Sequence, residues 1–130
     1  MTSDTRETAT RDPRRHHDLI AWQRAVALVK AVYEITETLP DSERFGLVSQ
    51  MRRAAVSIPS NIAEGAARHS SKEFVQGLCI VRGSLAEIET QLVLCRELGF
   101  VKDVSALDQV ISELFGILSG LIRSLQARGR

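Results

Sequence analysis

Apolar residues recur every three or four positions along most of the chain, which is the spacing of one face of an α-helix. The pattern is clearest in the third of four such segments, where spacings of four and three alternate as they do in a coiled coil. The residues of this face are Phe74, Leu78, Val81, Leu85, Ile88, Leu92 and Cys95. No stretch alternates apolar and polar residues as a half-buried strand would. The pattern therefore predicts an all-α fold with four helices.

Polar and helix-breaking residues set the predicted boundaries of these helices. Asp18 is a plausible N-cap for the first helix, which should run to about Leu39 because Pro40 stops it. The second helix is predicted from about Glu43 to Ala67. Ser70 and Glu73 have the spacing of a capping box, in which each side chain bonds the other's backbone amide, and they should begin the third helix. Gly99 is a natural C-terminal cap for it, and the fourth helix should span about Ser105 to Ala127.

Four helices joined by short connections predict an antiparallel up-and-down bundle over residues 18–127. The first and fourth helices are apolar over a wider arc than one partner helix can cover. On the fourth helix the excess residues are Val110, Phe115, Ile117 and Ile122. Large apolar surfaces on soluble proteins usually mark association sites, so we expect copies of the chain to associate.

A proline lies inside the predicted second helix, in the run RRAAVSIPSNIAEGAAR from Arg52 to Arg68. Proline in a helix removes one backbone donor and costs about 3 kcal/mol. Either the helix ends at Ile58 and a new one starts at Pro59, or one helix bends there. Ser57 and Ser60 suit both alternatives, because their hydroxyls can bond the local backbone. We expect a kink at this position.

The run QMRRAAVSIPSNIAEGAARHSSKEF, followed by GSLAEIETQL and ELGF, resembles the bacterial four-helix bundle protein family. This family is also called the 23S rRNA intervening-sequence protein family, after members encoded within ribosomal RNA genes. The resemblance covers roughly Leu19 to Leu125, and SIPSNIAEG is its most specific part. It implies an all-helical bundle that assembles as a homopentameric ring, with no established catalytic activity. The number five comes from the resemblance alone.

The ends of the chain are polar. Residues 1–17 are rich in threonine and arginine and have no hydrophobic period, so they are predicted to be a disordered arm, and residues 128–130 form a basic tail. The arm lacks the apolar segment of a signal peptide, and the longest nearly apolar stretch, Leu114 to Ile122, is shorter than the ~20 residues of a membrane span. These features predict a cytoplasmic protein without a membrane segment.

The residues with catalytic or metal-binding potential are few and separated. Cys79 and Cys95 lie about 24 Å apart along one predicted helix at ~1.5 Å per residue, so they cannot pair within a subunit, and both are expected to be reduced, structural and buried. The histidines are His16, His17 and His69, and we expect all three to be solvated polar residues. Neither the cysteine nor the histidine spacing suits zinc or a di-iron centre. The sequence therefore predicts a non-enzymatic protein with no metal and no cofactor.

The net charge is that of an ordinary globular protein, since the chain has 17 basic and 16 acidic residues, a formal charge of +1. Nucleic-acid binding would therefore need a local cluster of basic residues. The candidates are Arg52, Arg53, Arg68, His69 and Lys72, to which the arm and the tail add further arginines. A symmetric ring would repeat such a cluster into a continuous positive zone. No aromatic stacking surface accompanies it, so binding should be weakly sequence-specific.

The polar residues beside Pro59 allow two interpretations. Glu64 can form an exposed helical ion pair with Arg68. Alternatively, Glu64, Arg53 and Asn61 can form a polar network beside the kink, which would satisfy the carbonyl freed by Pro59 or join neighbouring subunits. We favour the network, because Asn61 is a poor helix former. Gly65, Gly77 and Gly83 indicate close approach of helix backbones. The structural motif is therefore assigned to Ser57, Pro59, Asn61, Glu64 and Gly65.

Two functions follow from these features. The first is an oligomeric scaffold that binds RNA or a ribonucleoprotein with weak sequence specificity. The second is a protein–protein interaction module with no role in nucleic-acid binding, which the near-neutral charge favours.

Overall fold

The computed structural model describes His16 and residues 19–128, and within these residues the fold is all-helical. It contains four α-helices and no strand there: α1 (Ile20–Thr36), α2 (Ser49–Ala66), α3 (Ser71–Glu97) and α4 (Ser105–Arg128). Each helix packs against the next along the chain, and α1 also packs against α4. The predicted helix count is therefore confirmed for this part of the chain.

A single hydrophobic core lies between the helices. The apolar faces predicted for α3 and α4 supply most of it, and Leu78, Leu85, Leu114 and Leu118 are fully buried. α1 and α2 add smaller residues, and this part of the core comprises Ala21, Ala25, Leu28, Val32, Met51, Ala54, Ala55, Ile58, Ile62 and Ala66. At the surface, Arg24 of α1 forms an ion pair of 3.1 Å with Glu113 of α4.

The first helix is shorter than predicted. Its N-cap is Leu19, which makes no side-chain capping bond, and the predicted cap Asp18 lies outside the described residues. It ends at Thr36, whose hydroxyl donates to the Val32 carbonyl at 2.7 Å. His16 is not simply solvated as predicted: it is half-buried, and its ring contacts Trp22 edge-on at 5.3 Å. The rest of the predicted arm, including His17, also lies outside the described residues.

The second helix begins at Ser49, later than the predicted Glu43. The intervening residues form a 3₁₀ turn (Asp41–Glu43) and a π-helical turn (Arg44–Val48). Gly46 has φ −106° and ψ −109°, far from helical values, so the helical pattern is interrupted here. One consequence is that Phe45 is 88% exposed.

Two glycines allow close packing of α2 against α3. A Cβ added at Gly65 would lie 3.0 Å from Cδ1 of Phe74, and one at Gly77 would lie 3.7 Å from the Cα of Gly65. The predicted close approach is confirmed at these two positions. It is wrong at Gly83, where an added Cβ would meet nothing within 4 Å.

The two ends of α3 are capped much as predicted. The Ser70 hydroxyl accepts from the Glu73 amide at 3.1 Å, but the Glu73 carboxylate accepts from the Ser70 hydroxyl instead of its amide, so the capping box is only half formed. At the other end Gly99 has φ +78°, where glycine is favoured. The Gly99 amide donates to the Arg96 carbonyl and the Phe100 amide to the Cys95 carbonyl, which is a Schellman motif.

The fourth helix begins where predicted and extends to Arg128, while residues 129 and 130 lie outside the described residues. Asp103 accepts from the Ser105 amide at 2.9 Å and from its hydroxyl at 2.6 Å, and these bonds lower the pKa of the Asp103 carboxyl. The stabilisation is present above the carboxyl's ordinary pKa and is lost as the pH falls through the lowered value. Ile122, predicted to lie on the outer face, is buried in the core.

α4 is long and apolar enough to cross a membrane by length and composition, since an 18-residue window within it has a mean hydropathy of 1.3. This window includes more of the helix than the stretch Leu114 to Ile122 considered in the sequence. Core helices of soluble proteins pass the same test, and α4 supplies six core residues, Leu107, Ile111, Leu114, Leu118, Ile122 and Leu125. The bundle core therefore accounts for part of its apolarity, since 28% of the window is buried.

The two cysteines are free, and they differ in exposure. Cys95 is fully buried and its thiol donates to Sδ of Met51 at 3.7 Å, whereas Cys79 is exposed. The prediction that both are buried is wrong for Cys79, which lies one position beyond the core residue Leu78. Burial raises the pKa of the Cys95 thiol, and the Glu43 carboxylate raises it further.

We expect one thiol per subunit to react with Ellman's reagent in the native protein. The thiolate is the reacting species, and Cys79 is exposed, whereas Cys95 is buried and its thiol pKa is raised. In denaturant both thiols should react. The control is Cys79→Ser, which should show no fast-reacting thiol until it is unfolded; rapid modification of the native variant would contradict the burial of Cys95.

Candidate nucleic-acid interface

The first candidate, Arg52, is engaged in contacts within the subunit. Its Nε donates to the Thr36 hydroxyl at 2.9 Å, and one terminal nitrogen lies 3.1 Å from the Glu37 carboxylate. The guanidinium also lies 4.4 Å from the centre of the Tyr33 ring. These contacts join the start of α2 to the end of α1, so Arg52 acts as a clamp between the two helices.

Arg53 is exposed beside this clamp, but it is far from the other candidates. Sixteen positions separate Arg52 from Arg68, which is about 24 Å along a helix at ~1.5 Å per residue. The five basic residues singled out in the sequence therefore do not form one cluster. Arg52 and Arg53 lie near one end of the bundle, and Arg68, His69 and Lys72 lie at the other.

Arg68 and His69 line a cavity of about 230 Å³ at that second end, which we call the end cavity. Arg128, the last residue of α4, lines it as well. Residues at or beside one end of each of the four helices line the cavity. The complete lining is Leu19, Ala66, Arg68, His69, Ser70, Ser71, Phe74, Leu121, Leu125 and Arg128. Its walls are thus apolar on the core side and cationic at the rim.

Lys72 lies in the adjoining groove, together with Ser70, Ser71 and Val75. Acidic residues partly offset the cations of this end. Glu64 lies 3.8 Å from Arg68, and Glu73 accepts the Ser70 hydroxyl. Arg68, Lys72 and Arg128 against Glu64 and Glu73 leave a surplus of one positive charge, with His69 beside it.

The opposite end of the bundle carries the other sign of charge. Met51 contacts Cys95, so the α1–α2 and α3–α4 connections lie near each other. Acidic residues slightly outnumber basic ones there, with Glu37, Asp41, Glu43, Glu97, Asp103 and Asp108 against Arg44, Arg52, Arg53, Arg96 and Lys102. The subunit is therefore weakly polarised along its length, and we call the end with the end cavity its basic end.

The motif around Pro59 forms one continuous helix. α2 runs through Pro59 without interruption, which excludes an end at Ile58 followed by a new helix. The Ser57 hydroxyl donates to the Ala54 carbonyl at 2.6 Å and contacts the Ser84 hydroxyl, and the Ser60 hydroxyl donates to the Val56 carbonyl. The expected bonding of these two serines to the backbone is confirmed.

The polar network proposed beside Pro59 is not formed within the subunit. Asn61 donates to the Ser57 carbonyl at 2.7 Å, and Glu64 faces Arg68 as an exposed ion pair four positions apart. The simpler of the two interpretations is therefore correct for Glu64. Gly65, the last residue of the motif, serves the close contact with Phe74.

Between α1 and α2 lies an open groove of about 430 Å³ whose lining is almost entirely apolar. Its residues, which we call the α1–α2 groove, are Val26, Val29, Lys30, Tyr33, Val56, Pro59 and Ser60. Pro59 thus faces this groove as well as lying in the helix. A second set of exposed apolar residues follows one face of α3 to its C-cap, and this α3 stripe consists of Ile80, Leu94 and Leu98.

No group of three or more histidine, cysteine, aspartate or glutamate side chains is placed to hold a metal ion among the residues that the structure describes. The sequence alone did not bring Arg128 together with Arg68 and His69, and it gave no sign of the apolar wall beneath them. The signal was available in the predicted fold, since an up-and-down order of the helices would bring the end of the fourth helix to the turn between the second and third.

Comparison with known proteins gives one match. A family model described as 23S rRNA-intervening sequence protein matches residues 17–120, which is most of the chain. The matched region includes α1 to α3, most of α4, the end-cavity residues Arg68 and His69, and the proline motif. No curated protein matches the chain.

Proposed function

We propose that this chain, which belongs to the 23S rRNA-intervening sequence protein family, is a non-enzymatic helical bundle. It associates with copies of itself and binds RNA. The observation that carries this proposal is the convergence of Arg68, His69 and Arg128 on one end cavity, with Lys72 beside it. The protein acts in the cytoplasm, either on RNA alone or on a ribonucleoprotein.

The helices run antiparallel in this proposal, in up-and-down order. The lining of the end cavity supports this arrangement, because it draws on the start of α1, the end of α2, the start of α3 and the end of α4. Such alternation is what short connections require. We also propose that α2 bends at Pro59, since its missing amide leaves one helical carbonyl without its usual donor.

Self-association uses the α1–α2 groove. Val26, Tyr33 and Val56 are each more than 40% exposed in the single subunit, although they form one apolar surface. The α3 stripe is a second, separate apolar surface. Two different surfaces suit a head-to-tail contact, which closes into a ring when the rotation between subunits allows. The family resemblance suggests five subunits.

A ring repeats the basic end once per subunit. A single subunit has too little excess charge to hold RNA firmly, but symmetric copies act together on one phosphate backbone. Most contacts would be to phosphates, which carry no sequence information directly. This accounts for binding that is weakly sequence-specific.

We expect the protein to bind structured RNA with an affinity that depends strongly on salt. Filter binding of labelled RNA at 50 and 200 mM salt measures this. If one subunit contributes three phosphate contacts at a slope of about 0.9 each, affinity should fall roughly 40-fold between the two conditions. A scrambled RNA of equal length, the control for sequence specificity, should bind within a few-fold.

Undetectable binding at both salt concentrations would contradict the RNA-binding function. That result would favour the second candidate, a protein–protein interaction module without a nucleic-acid role. The specific observation behind this alternative is the nearly polar-free lining of the α1–α2 groove.

A further inference from the structure

The end cavity combines an apolar wall with cationic side chains around its opening. Phe74, Leu121 and Leu125 form an apolar wall, and each lies within or against the core. Arg68, His69 and Arg128 surround its opening. Binding of RNA phosphates alone would require the cations but not the apolar wall.

The size of the cavity limits what it can hold. Its volume of about 230 Å³ lies below the ~300–1,000 Å³ of pockets that enclose drug-sized ligands. It suits one flat ring with one attached anionic group. Extended ligands would have to continue outside it.

The charges at the opening favour an anion over a cation or a neutral ligand. Arg68 is paired with Glu64 only at 3.8 Å, and both side chains remain more than half exposed. Arg68 lies in the turn between α2 and α3, and Arg128 lines the same cavity from the end of α4. An anion between these guanidiniums would be contacted from the turn and from α4, and guanidinium groups match phosphate oxygens in geometry.

We propose that the end cavity binds one unpaired nucleotide of RNA, with the base against Phe74, Leu121 and Leu125 and the phosphate between Arg68 and Arg128. This inference rests on the proposed RNA-binding function and assigns it a site. Proteins commonly recognise RNA through single-stranded nucleotides whose bases are turned out of the stack. A base-paired RNA cannot supply such a nucleotide, so the site selects loops, bulges and ends.

The test compares a 12-nucleotide oligouridine with a 12-base-pair RNA duplex by fluorescence anisotropy at 50 mM salt. The wild-type protein should bind the single strand at least tenfold more tightly. Arg128→Gln should weaken single-strand binding about tenfold, as expected for a lost charged contact. Arg123→Gln, the matched control, removes the same charge from the same helix outside the cavity and should change binding less than twofold.

A second variant tests the contribution of the cavity separately from that of the cations around it. Ser71→Tyr keeps every cation and fills the cavity, so it should weaken single-strand binding about tenfold while duplex binding stays the same. Equal losses in Arg128→Gln and Arg123→Gln would overturn the inference, because they would show a diffuse positive field. These two exposed positions decide the question even if Ser71→Tyr does not fold, as judged by circular dichroism.

The possible failures are distinguishable. If the wild-type protein binds neither RNA at 50 mM salt, the proposed function itself fails. If it binds both equally, and the cavity variants bind like the wild type, RNA binding stands and the nucleotide site is wrong. Displacement of the oligouridine by micromolar uridine monophosphate would overturn RNA as the ligand and indicate a free nucleotide.

Discussion

Replacing Leu85 by aspartate is expected to leave no folded protein at 25 °C. Leu85 is fully buried near the middle of α3, on the face that packs into the core. Removing a buried leucine side chain costs about 2–5 kcal/mol, and an unpaired carboxyl in its place adds a desolvation cost of several kcal/mol. The sum is comparable with the ~5–15 kcal/mol total stability of a typical domain. Far-UV circular dichroism should show the loss of helix.

Ala86→Asp is the matched control for this substitution. Ala86 is the next residue of the same helix and is exposed, so the new carboxylate stays in water. The control should keep the helical signal, and its melting temperature should fall by only a few degrees, because the change in helix propensity is about 0.7 kcal/mol. A native melting curve for Leu85→Asp would show that this face of α3 does not lie in the core.

The double substitution Val26→Glu and Val56→Glu is expected to convert the assembly into single subunits without unfolding them. Both residues line the α1–α2 groove, and each is 43% exposed in the single subunit. In the subunit alone the glutamates reach water, whereas in an assembly they would be buried without partners, at roughly 1–3 kcal/mol each. Light scattering should give a multiple of 14.4 kDa for the wild type and 14.4 kDa for the variant at micromolar concentration.

Ala27→Glu is the control for the groove, because Ala27 is exposed and does not line it. This variant should keep the wild-type mass. Pro59→Ala tests the bend separately: it should stay folded but change the mass if the bend shapes the contact between subunits, and an unchanged mass would remove that role. A wild-type protein that is a stable monomer at micromolar concentration would refute self-association altogether.

The head-to-tail geometry can be tested by mixing. A second variant, Ile80→Glu with Leu94→Glu, alters the α3 stripe and leaves the groove intact. Each double variant alone should be monomeric, but an equimolar mixture retains one intact pair of complementary surfaces and should form a dimer. Two monomers in the mixture would show that the α3 stripe is not the partner of the groove.

The sequence predicted the parts of the fold that depend on local periodicity. Helices α3 and α4 were predicted within one residue or so, because Leu78, Leu85, Leu114 and Leu118 repeat at the spacing of a single buried face. The Ser70 cap and the Gly99 cap are equally local, since each is a contact within a few residues. Such features need no knowledge of the partner helix.

Features that depend on the partner helix were missed. The contacts of Arg52 with Thr36 and Glu37 cross 15 or 16 positions of sequence, and nothing near Arg52 signals them. The exposure of Cys79 and the burial of Ile122 depend on how α3 and α4 are rotated against their neighbours. For the candidate site, the sequence grouped Arg68, His69 and Lys72 at the turn between the second and third helices, but their convergence with Arg128 depends on how the helices pack.

The clamp formed by Arg52 joins α1 and α2 by contacts outside the connection between them. Arg52 holds the Thr36 hydroxyl and the Glu37 carboxylate directly, and the two helices also pack against each other, so their alignment does not rest on the connection alone. The tip of that connection, around Asp41 and Ser42, is exposed. It is therefore the place to insert a fluorescent protein or to open the chain for circular permutation, at the end of the molecule opposite the end cavity.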